Sequence, residues 1–465
     1  MLGGPGRSYR VSVMLLRRTR TRALSAAALV ALVAGCTSSG HRAAQAPTSS
    51  AAPSSAAPSN AATQALKGAH VHVLGMWSGP ELDNFMTVKS AWERDTGAVV
   101  DWQSTQGQAG GPAASAPAGG DADIAIVSSL STMRQLAADG RLVPLDDVLD
   151  MNQVNEDYPQ AWRDLGSHSG KLYGIFYKVT DKATVWYNPK AFAAGGYAVP
   201  KTWGDMMSLA DKMVTDGHTP FSIVAANGPA NGWALTDWIS EIVLNNCGPD
   251  VYDKWVAGQT PWTDACVKQS FDLFDNVVHK KGYVLGGAQR VVSTGDDHGA
   301  DPLYSNPPAA YMYYLASFTQ GFIASNFPNL AAGTDYSFFS FPSINPQYSG
   351  SVAVGADIVV MMKNTPAAKS FMRYLAGAQA QEAWIKLGGF TSVNRSIPPA
   401  TYLDPVAQAI AADLTDAKSI RFSAGDMMPS DLQRAWWAAM LELVNDPTKL
   451  DDTLRSLATL AQGGK

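Results

Sequence analysis

Residues 71–77 read Val-His-Val-Leu-Gly-Met-Trp, a run that predicts a strand, and the turn Ser-Gly-Pro follows at 78–80. Pro80 and Glu81 suit the first turn of a helix, where a missing N–H is no loss and a negative charge faces the positive end of the helix dipole. The apolar residues of that helix recur at three- and four-residue steps: Leu82, Phe85, Val88 and Trp92. The segment therefore predicts a strand followed by an amphipathic helix.

The same order of elements repeats further along the chain. A second strand is predicted at 97–102 and a continuous apolar strand at 122–127, and another helix follows through Leu136. This alternation predicts an α/β fold in which helices cover a parallel sheet. Ligands of such sheets lie beyond the carboxyl ends of the strands, which are here the segments 76–79 and 127–129. Neither turn contains a glycine-rich phosphate loop.

The N-terminal residues 1–35 are predicted to be an export signal. Four arginines lie in 17–22, and the apolar run 23–34 is too short to span a bilayer, which takes roughly 20 residues. The translation start is either Met1 or Met14. Met14 is sufficient for export, because residues 1–13 add nothing that a signal peptide needs.

Small residues immediately before Cys36 resemble the bacterial lipobox, in which the cysteine is lipidated and becomes the first mature residue. The alternative is an ordinary signal peptide cut near Gly35, with Cys36 as a bystander. Residues 36–65 consist mainly of Ala, Ser, Pro, Thr and Gly, a composition that predicts a disordered tether. The sequence therefore predicts a lipoprotein anchored to the outer face of the cytoplasmic membrane.

Composition narrows the class of partner. Removal of the signal takes away six arginines and no acidic residue, which leaves 29 basic against 40 acidic residues and a charge of −11. An acidic chain without basic runs argues against nucleic acid as a partner. The 13 tryptophans are compatible with stacking on pyranose rings, although burial in a core is the more ordinary role.

Two cysteines, Cys247 and Cys266, remain in the exported part of the chain. An even pair in an oxidising compartment predicts a disulfide bond. Two thiols without nearby histidines do not complete a zinc site, so no metal and no cofactor are expected.

From residue 170 onward the chain resembles a known family. The segments that carry the resemblance are Gly-Lys-Leu-Tyr-Gly-Ile-Phe-Tyr-Lys at 170–178, Val-Trp-Tyr-Asn-Pro-Lys at 185–190, Pro-Lys-Thr-Trp-Gly-Asp at 200–205, 233–238, 247–256, 261–264, 286–289 and Asp-Met-Met-Pro at 426–429. Together they resemble the carbohydrate-binding proteins of ABC importers (extracellular solute-binding protein family 1), including the α-glucoside-binding and maltose-binding proteins. The charged Asp-Lys and Trp-Asp-Arg clusters of maltose-binding protein have no clear match, which puts maltose itself in doubt.

The resemblance implies a two-lobe α/β fold with a ligand cleft between the lobes. The N-terminal lobe would comprise 66–180 and 353–405, and the C-terminal lobe 181–352 and 406–465. It also implies a monomeric binding protein that holds a sugar by hinge closure and delivers it to the permease subunits of an importer.

The candidate ligand-binding residues are aromatic rings, hydroxyls and charged side chains in loops or at the predicted crossings between lobes. They are Trp77, Ser78, Glu81, Ser128, Lys178, Asp181, Lys182, Trp233, Asp237, Tyr313, Asp357, Gly389, Phe390, Asp426 and Trp437. Trp233 and Asp237 share one face of a predicted helix, at a four-residue spacing. Each has a structural alternative, such as core packing for the rings, helix capping for Ser128 and a hinge salt bridge for Lys178, Asp181 and Lys182.

Other functions remain open at this level. A secreted glycosidase would need two carboxylates about 5–10 Å apart, and acidic residues are plentiful, but no His-Glu-x-x-His or Gly-x-Ser-x-Gly motif occurs. Binding of a non-sugar solute, or delivery to a sensor or a polymer-degrading complex, would use the same lobes.

Overall fold

A computed structural model describes residues 66–77, 79–105 and 121–463. The export signal, Cys36, the tether and Ser78 lie outside the described residues. Within the described part of the chain, no helix has the length and the apolar character needed to cross a membrane.

The strands are short apart from two long ones, β6 and β11. They are β1 His70–Gly75, β2 Val99–Ser104, β3 Ile124–Val127, β4 Ser167–His168, β5 Lys171–Leu172, β6 Gly174–Asp181, β7 Thr184–Tyr187, β8 Phe221–Ser222, β9 Met312–Tyr314, β10 Ser337–Ser340, β11 Ser351–Met361 and β12 Ser419–Phe422.

Helices separate most of the strands. They are α1 Gly79–Thr96, α2 Leu130–Ala138, α3 Met151–Asp157, α4 Gln160–Leu165, α5 Pro189–Gly195, α6 Trp203–Thr215, α7 Trp233–Cys247, α8 Pro249–Val256, α9 Ala265–Val278, α10 Gly287–Ser293, α11 Thr319–Asn326, α12 Pro366–Ala376, α13 Ala378–Ile385, α14 Pro405–Asp416, α15 Ala424–Met427, α16 Ser430–Asn445 and α17 Leu450–Gly463.

The first sheet has the strand order β12-β11-β3-β1-β2, and β6 also pairs with β11. β1 is parallel to β2 and β3, as the β-α-β-α pattern predicts. β11 runs antiparallel to β3 and β6. The predicted α/β fold is therefore confirmed, with the addition of antiparallel strands contributed by later parts of the chain.

The second sheet has the order β10-β7-β9-β8. β7 is antiparallel to both of its neighbours, β9 and β10. The helix α7 is buried along nearly its whole length, and it packs against α9 and α16. The helix also buries polar side chains, and these have partners inside the protein: Asp237 pairs with Lys182, and Glu241 accepts from the N–H of Ala353 and from the amide of Asn245.

The two sheets are joined where β6 of the first sheet leads into β7 of the second. Only Lys182 and Ala183 separate the two strands. The N–H of Lys182 donates to the carbonyl of Ala353 over 3.0 Å, so this crossing is held against β11. β12 lies in the predicted C-terminal-lobe segment 406–465 but pairs with β11 in the first sheet. The lobe boundaries therefore stay a prediction.

Cys247 at the end of α7 and Cys266 at the start of α9 lie at bonding distance, with their Cα atoms 5.9 Å apart. This link joins α7 to α9, and the two helices pack against each other. Asp264 caps α9 immediately before Cys266, since its side chain accepts from the N–H groups of Cys266 and Val267.

Candidate functional site

The long ladder between β6 and β11 places two opposite charges face to face. Lys178 lies directly opposite Asp357, and the register of the ladder shifts between Asp357 and Ile358. Directly opposed side chains lie on the same face of a sheet, and a bulge re-aims the side chains next to it. Lys178 and Asp357 are therefore brought together by backbone pairing.

Lys178 also forms an ion pair with Glu81 at the start of α1. Burial lowers the pKa of Lys178, but the neighbouring carboxylates of Glu81 and Asp357 outweigh it and hold that pKa above its ordinary value. Lys178 is thus a buried cation, whereas Glu81 is about half exposed and can accept further hydrogen bonds.

Asp357 accepts hydrogen bonds from uncharged donors. The indole Nε1 of Trp77 donates over 2.8 Å and the hydroxyl of Ser128 over 3.2 Å. Burial raises the pKa of Asp357, and Lys178 offsets part of that shift. Trp77 is buried and its ring stacks on Trp102 at 5.7 Å, so in this conformation it orients Asp357 and offers no free face to a ligand.

A second ion pair lies at the crossing into the second sheet. The Nζ of Lys182 is 2.7 Å from the carboxylate of Asp237 on α7, and the hydroxyl of Ser423 donates to the other carboxylate oxygen over 2.9 Å. Lys182 also lies 4.9 Å from the centre of the Trp233 ring, within cation–π range. The predicted shared face of Trp233 and Asp237 is thus observed, since both contact the same ammonium group.

Asp426 on α15 carries a largely buried carboxylate with few partners. Burial raises its pKa to about 6; Lys182 works against that shift, and Asp237 and Asp357 add to it. Gln433 is its side-chain donor at 3.4 Å, a long contact. The carbonyl of Asp426 accepts from the hydroxyl of Ser129 over 3.0 Å, which joins α15 to the start of α2.

Two partly exposed tryptophans lie on neighbouring helices beside these charges. Trp233 begins α7 and Trp437 lies on α16, next to the fully buried Trp436. Gly232 lets the helices approach, because a Cβ there would lie 2.3 Å from the carbonyl oxygen of Trp437. The ring of Phe318 lies 6.0 Å from that of Trp233. These rings supply flat apolar surface next to hydrogen-bonding groups.

The charged residues described above (Glu81, Lys178, Lys182, Asp237, Asp357 and Asp426) are called the charged cluster below. A cavity of about 190 Å³, which Lys178 also lines, opens beside this cluster. Lys178 and Thr180 of β6 line it, together with the loop that contains Gly389 and Phe390 and with Phe318 before α11. Phe390 itself is buried and packs against Trp384 at 5.1 Å. Gly389 is exposed, as its place in a loop predicts.

Two of the candidates lie away from this surface. Tyr313 is buried in β9, where its hydroxyl donates to the carbonyl of Asp296 over 3.2 Å. Asp181 is fully buried, and its carboxylate accepts from the N–H of Ala183 over 2.8 Å at the crossing between the sheets. Both have structural partners and no surface open to a ligand in this conformation, so we leave them out of the candidate site.

Other residues of the cluster were not anticipated from the sequence. Ser423 completes the hydrogen bonds of Asp237, and Phe318 extends the aromatic surface from Trp233. Neither carries a local signal, because a lone serine and a lone phenylalanine occur in any loop. The only available hint for Ser423 is its position three residues before the candidate Asp426.

The cluster as a whole offers carboxylate acceptors, ammonium donors and ring faces. That combination suits a neutral ligand with several hydroxyl groups, since carboxylates accept from hydroxyls and rings cover the apolar faces of a sugar. Among the described residues, no group of three or more His, Cys, Asp or Glu side chains is arranged to hold a metal ion.

Comparison with known proteins identifies the family. The family model for bacterial extracellular solute-binding proteins matches residues 78–382. The osmoprotective compounds-binding protein GgtB of Synechocystis sp. is 30% identical over 387 residues, which cover 83% of this chain and 91% of GgtB. The alpha-glucosides-binding periplasmic protein AglE of Rhizobium meliloti is 32% identical over 396 residues, 83% of this chain and 86% of AglE.

Solved structures show the same architecture. The bacterial solute receptor AcbH superposes with a TM-score of 0.72 and 22% identity, over 85% of this chain and 98% of AcbH. At that identity the likeness establishes the fold, which is the two-lobe fold of periplasmic solute-binding proteins. With the family match over 78–382 and both curated relatives, it shows that this chain belongs to the family of bacterial extracellular solute-binding proteins.

Proposed function

We propose that this protein is the substrate-binding component of an ABC importer and that it captures an α-glucoside or a related sugar outside the cytoplasm. The observation that carries the proposal is that two buried lysines, each paired with a carboxylate (Lys178 with Glu81 and Lys182 with Asp237), lie beside the partly exposed rings of Trp233 and Trp437.

The arrangement suits capture of a neutral polyol for an energetic reason. Burial removes the hydration of charged groups, which is unfavourable in free energy, and the two ion pairs offset only part of this loss. Asp357 and Asp426 keep raised pKa values because their burial is not balanced by a cation of their own. Hydroxyl groups of a ligand would donate to these carboxylates and restore part of the lost hydration.

Hinge closure would couple binding to transport. Asp357 lies on β11 of the first sheet and Glu81 on α1, whereas Asp237 and Trp233 lie on α7, where the carbonyl of Asp237 accepts from the hydroxyl of Tyr314 in the second sheet. A ligand that contacts both sides favours the closed form by its difference in affinity for the two forms. The permease subunits would then recognise the closed pair of lobes.

The printed names of AglE and AcbH support a sugar as the ligand but differ in its identity. AglE is named for alpha-glucosides, GgtB for osmoprotective compounds, and AcbH is described with a preference for β-D-galactopyranose. AglE is 32% identical to this chain, and its name is the ground on which we propose an α-glucoside as the ligand class.

Calorimetry tests this function directly. Purified protein should bind at least one sugar among maltose, trehalose and methyl α-D-glucopyranoside with micromolar affinity, or about −8 kcal/mol. Asp357→Asn should weaken that binding about 10- to 100-fold, because the amide replaces one acceptor oxygen by a donor. Asp452→Asn is the matched control, since that side chain is 82% exposed on α17, and it should bind as the wild type does.

Two outcomes would contradict the proposal. Absence of heat with all three sugars would exclude the α-glucoside class. Hydrolysis of maltose or trehalose by the purified protein would favour the glycosidase alternative.

The pKa of Asp426 gives a second test. A folded-state pKa of about 6, above the ordinary 3.8, means that the fold favours the protonated carboxyl. Ionisation of Asp426 therefore lowers the unfolding free energy as the pH rises from about 4 to 6, and this loss persists at pH 7. Asp426→Asn should raise the thermal midpoint by about 2–4 °C at pH 7.5 and much less at pH 4.5.

The same substitution should weaken sugar binding, because the amide replaces one acceptor oxygen by a donor and leaves the ligand hydroxyls one acceptor fewer. Thermal unfolding at the two pH values and calorimetry at pH 7.5 measure both effects. An equal change in midpoint at both pH values, together with unchanged affinity, would show that Asp426 has neither role.

We further propose that Cys36 is lipidated and anchors the protein to the outer face of the cytoplasmic membrane. The lipobox-like residues before Cys36 and the extracellular family support this. Cys36→Ala should release the protein from the membrane fraction, whereas the wild type should stay with it after a high-salt wash. Equal membrane retention of both proteins would contradict lipid anchoring at this residue.

A further inference from the structure

A short segment beside the candidate site contacts the elements that carry it. Residues 248–265 contain α8 and run between Cys247 and Cys266, which lie at bonding distance. The segment is therefore held at both ends, on the last residue of α7 and near the start of α9. Closing the ends of a loop removes many of its conformations, so groups on α8 have a defined position relative to α7 and α15, against which α8 packs.

Tyr252 of α8 holds the peptide that precedes Ser423. Its side chain is buried, and its hydroxyl donates to the carbonyl of Phe422, the last residue of β12, over 2.8 Å. The N–H of the same peptide unit, which belongs to Ser423, donates to the carbonyl of Val354 on β11 over 2.8 Å. Both polar groups of this peptide are thus hydrogen bonded, and its orientation is fixed from two sides.

The orientation of that peptide sets the direction of the Ser423 side chain. Its hydroxyl donates to one carboxylate oxygen of Asp237 over 2.9 Å, and Lys182 lies 2.7 Å from the other oxygen. A carboxylate held at both oxygens keeps its remaining lone pairs in a fixed direction, as recognition of a ligand hydroxyl requires. Loss of the Tyr252 hydroxyl would release the peptide and let Ser423 move relative to Asp237.

The same segment supports the helix that carries Trp437. The rings of Trp255 and Trp262 pack edge to face on Trp436 of α16, at 5.4 and 5.0 Å, and all three rings are fully buried. Such ring pairs favour particular relative orientations. Because Trp436 directly precedes Trp437, this packing sets the rotation of α16 that presents the partly exposed ring.

We propose that Tyr252 is a positioning residue of the binding site, which sets ligand affinity through Ser423 and Asp237 and makes no contact with the ligand itself. The 248–265 segment is then the support that holds this part of the site in place. The inference rests on the proposed function. It adds to that function a residue remote from the ligand on which affinity depends.

Tyr252→Phe tests this role, since it removes the hydroxyl and keeps the ring. Calorimetry should use the tightest-binding sugar among maltose, trehalose and methyl α-D-glucopyranoside. The variant should bind that sugar about three- to tenfold more weakly than the wild type, the size of effect expected from one lost hydrogen bond.

Tyr283→Phe is the matched control. Tyr283 is equally buried, and its hydroxyl donates to the carbonyl of Met207 over 3.2 Å and to the carboxylate of Asp211 over 2.9 Å, both on α6. Each variant loses a buried hydrogen bond, so both should lower the thermal midpoint. Only Tyr252→Phe should also lower the affinity, which separates positioning from a general loss of stability.

A double-mutant cycle tests the route through Ser423. Once Ser423→Ala has removed the hydroxyl that reaches Asp237, the orientation of the preceding peptide no longer affects the carboxylate. Adding Tyr252→Phe to Ser423→Ala should therefore weaken binding by less than about twofold further.

The outcomes separate this inference from the function on which it rests. If the wild type binds a sugar but Tyr252→Phe binds it equally well, or if Tyr283→Phe weakens binding as much, the positioning role is wrong and the sugar-binding function stands. Losses that multiply in the double variant would show that Tyr252 does not act through Ser423. If the wild type gives no heat with any of the three sugars, the α-glucoside function is wrong, and the positioning role falls with it.

Discussion

The antiparallel pairing of β6 with β11 is the constraint on which the rest of the molecule depends. It spans Val354 opposite Asp181 through Val360 opposite Gly174, and it fixes Lys178 opposite Asp357. Only two residues then carry the chain from β6 to β7 in the second sheet. In the hinge closure that we propose, this short crossing, which backbone hydrogen bonds hold against β11, is the axis of rotation, and the charged residues beside it stay in register.

Buried charged side chains next to this crossing affect both the stability of the empty protein and the ligand binding that we propose. Lys178 and Lys182 each have a carboxylate partner, but Asp357 and Asp426 are left with neutral or long hydrogen bonds. Such groups lower the stability of the empty protein and strengthen binding of a ligand that donates to them. These incompletely paired carboxylates are the reason why we propose the cluster as a binding site rather than as a structural ion-pair network.

Local patterns were sufficient to predict some of these features. The apolar periodicity after residue 80 predicts α1, and the four-residue spacing of Trp233 and Asp237 predicts that they share one face of a helix. Their common contact with Lys182 was not predicted and comes from the tertiary fold. Tyr313 shows the limit of such patterns: alternation along a strand separates two faces, but β9 is buried on both. The cavity also escapes prediction, because Phe318, Leu387 and Leu403 meet only through the tertiary fold.

Small-angle X-ray scattering, with and without a bound sugar, tests the central claim that two lobes close on a ligand held at their crossing. Protein saturated with the tightest-binding sugar should show a smaller radius of gyration than the empty protein. Lactate or another small solute that gives no binding heat should leave it unchanged. An identical radius of gyration in the empty and the sugar-saturated protein would contradict hinge closure.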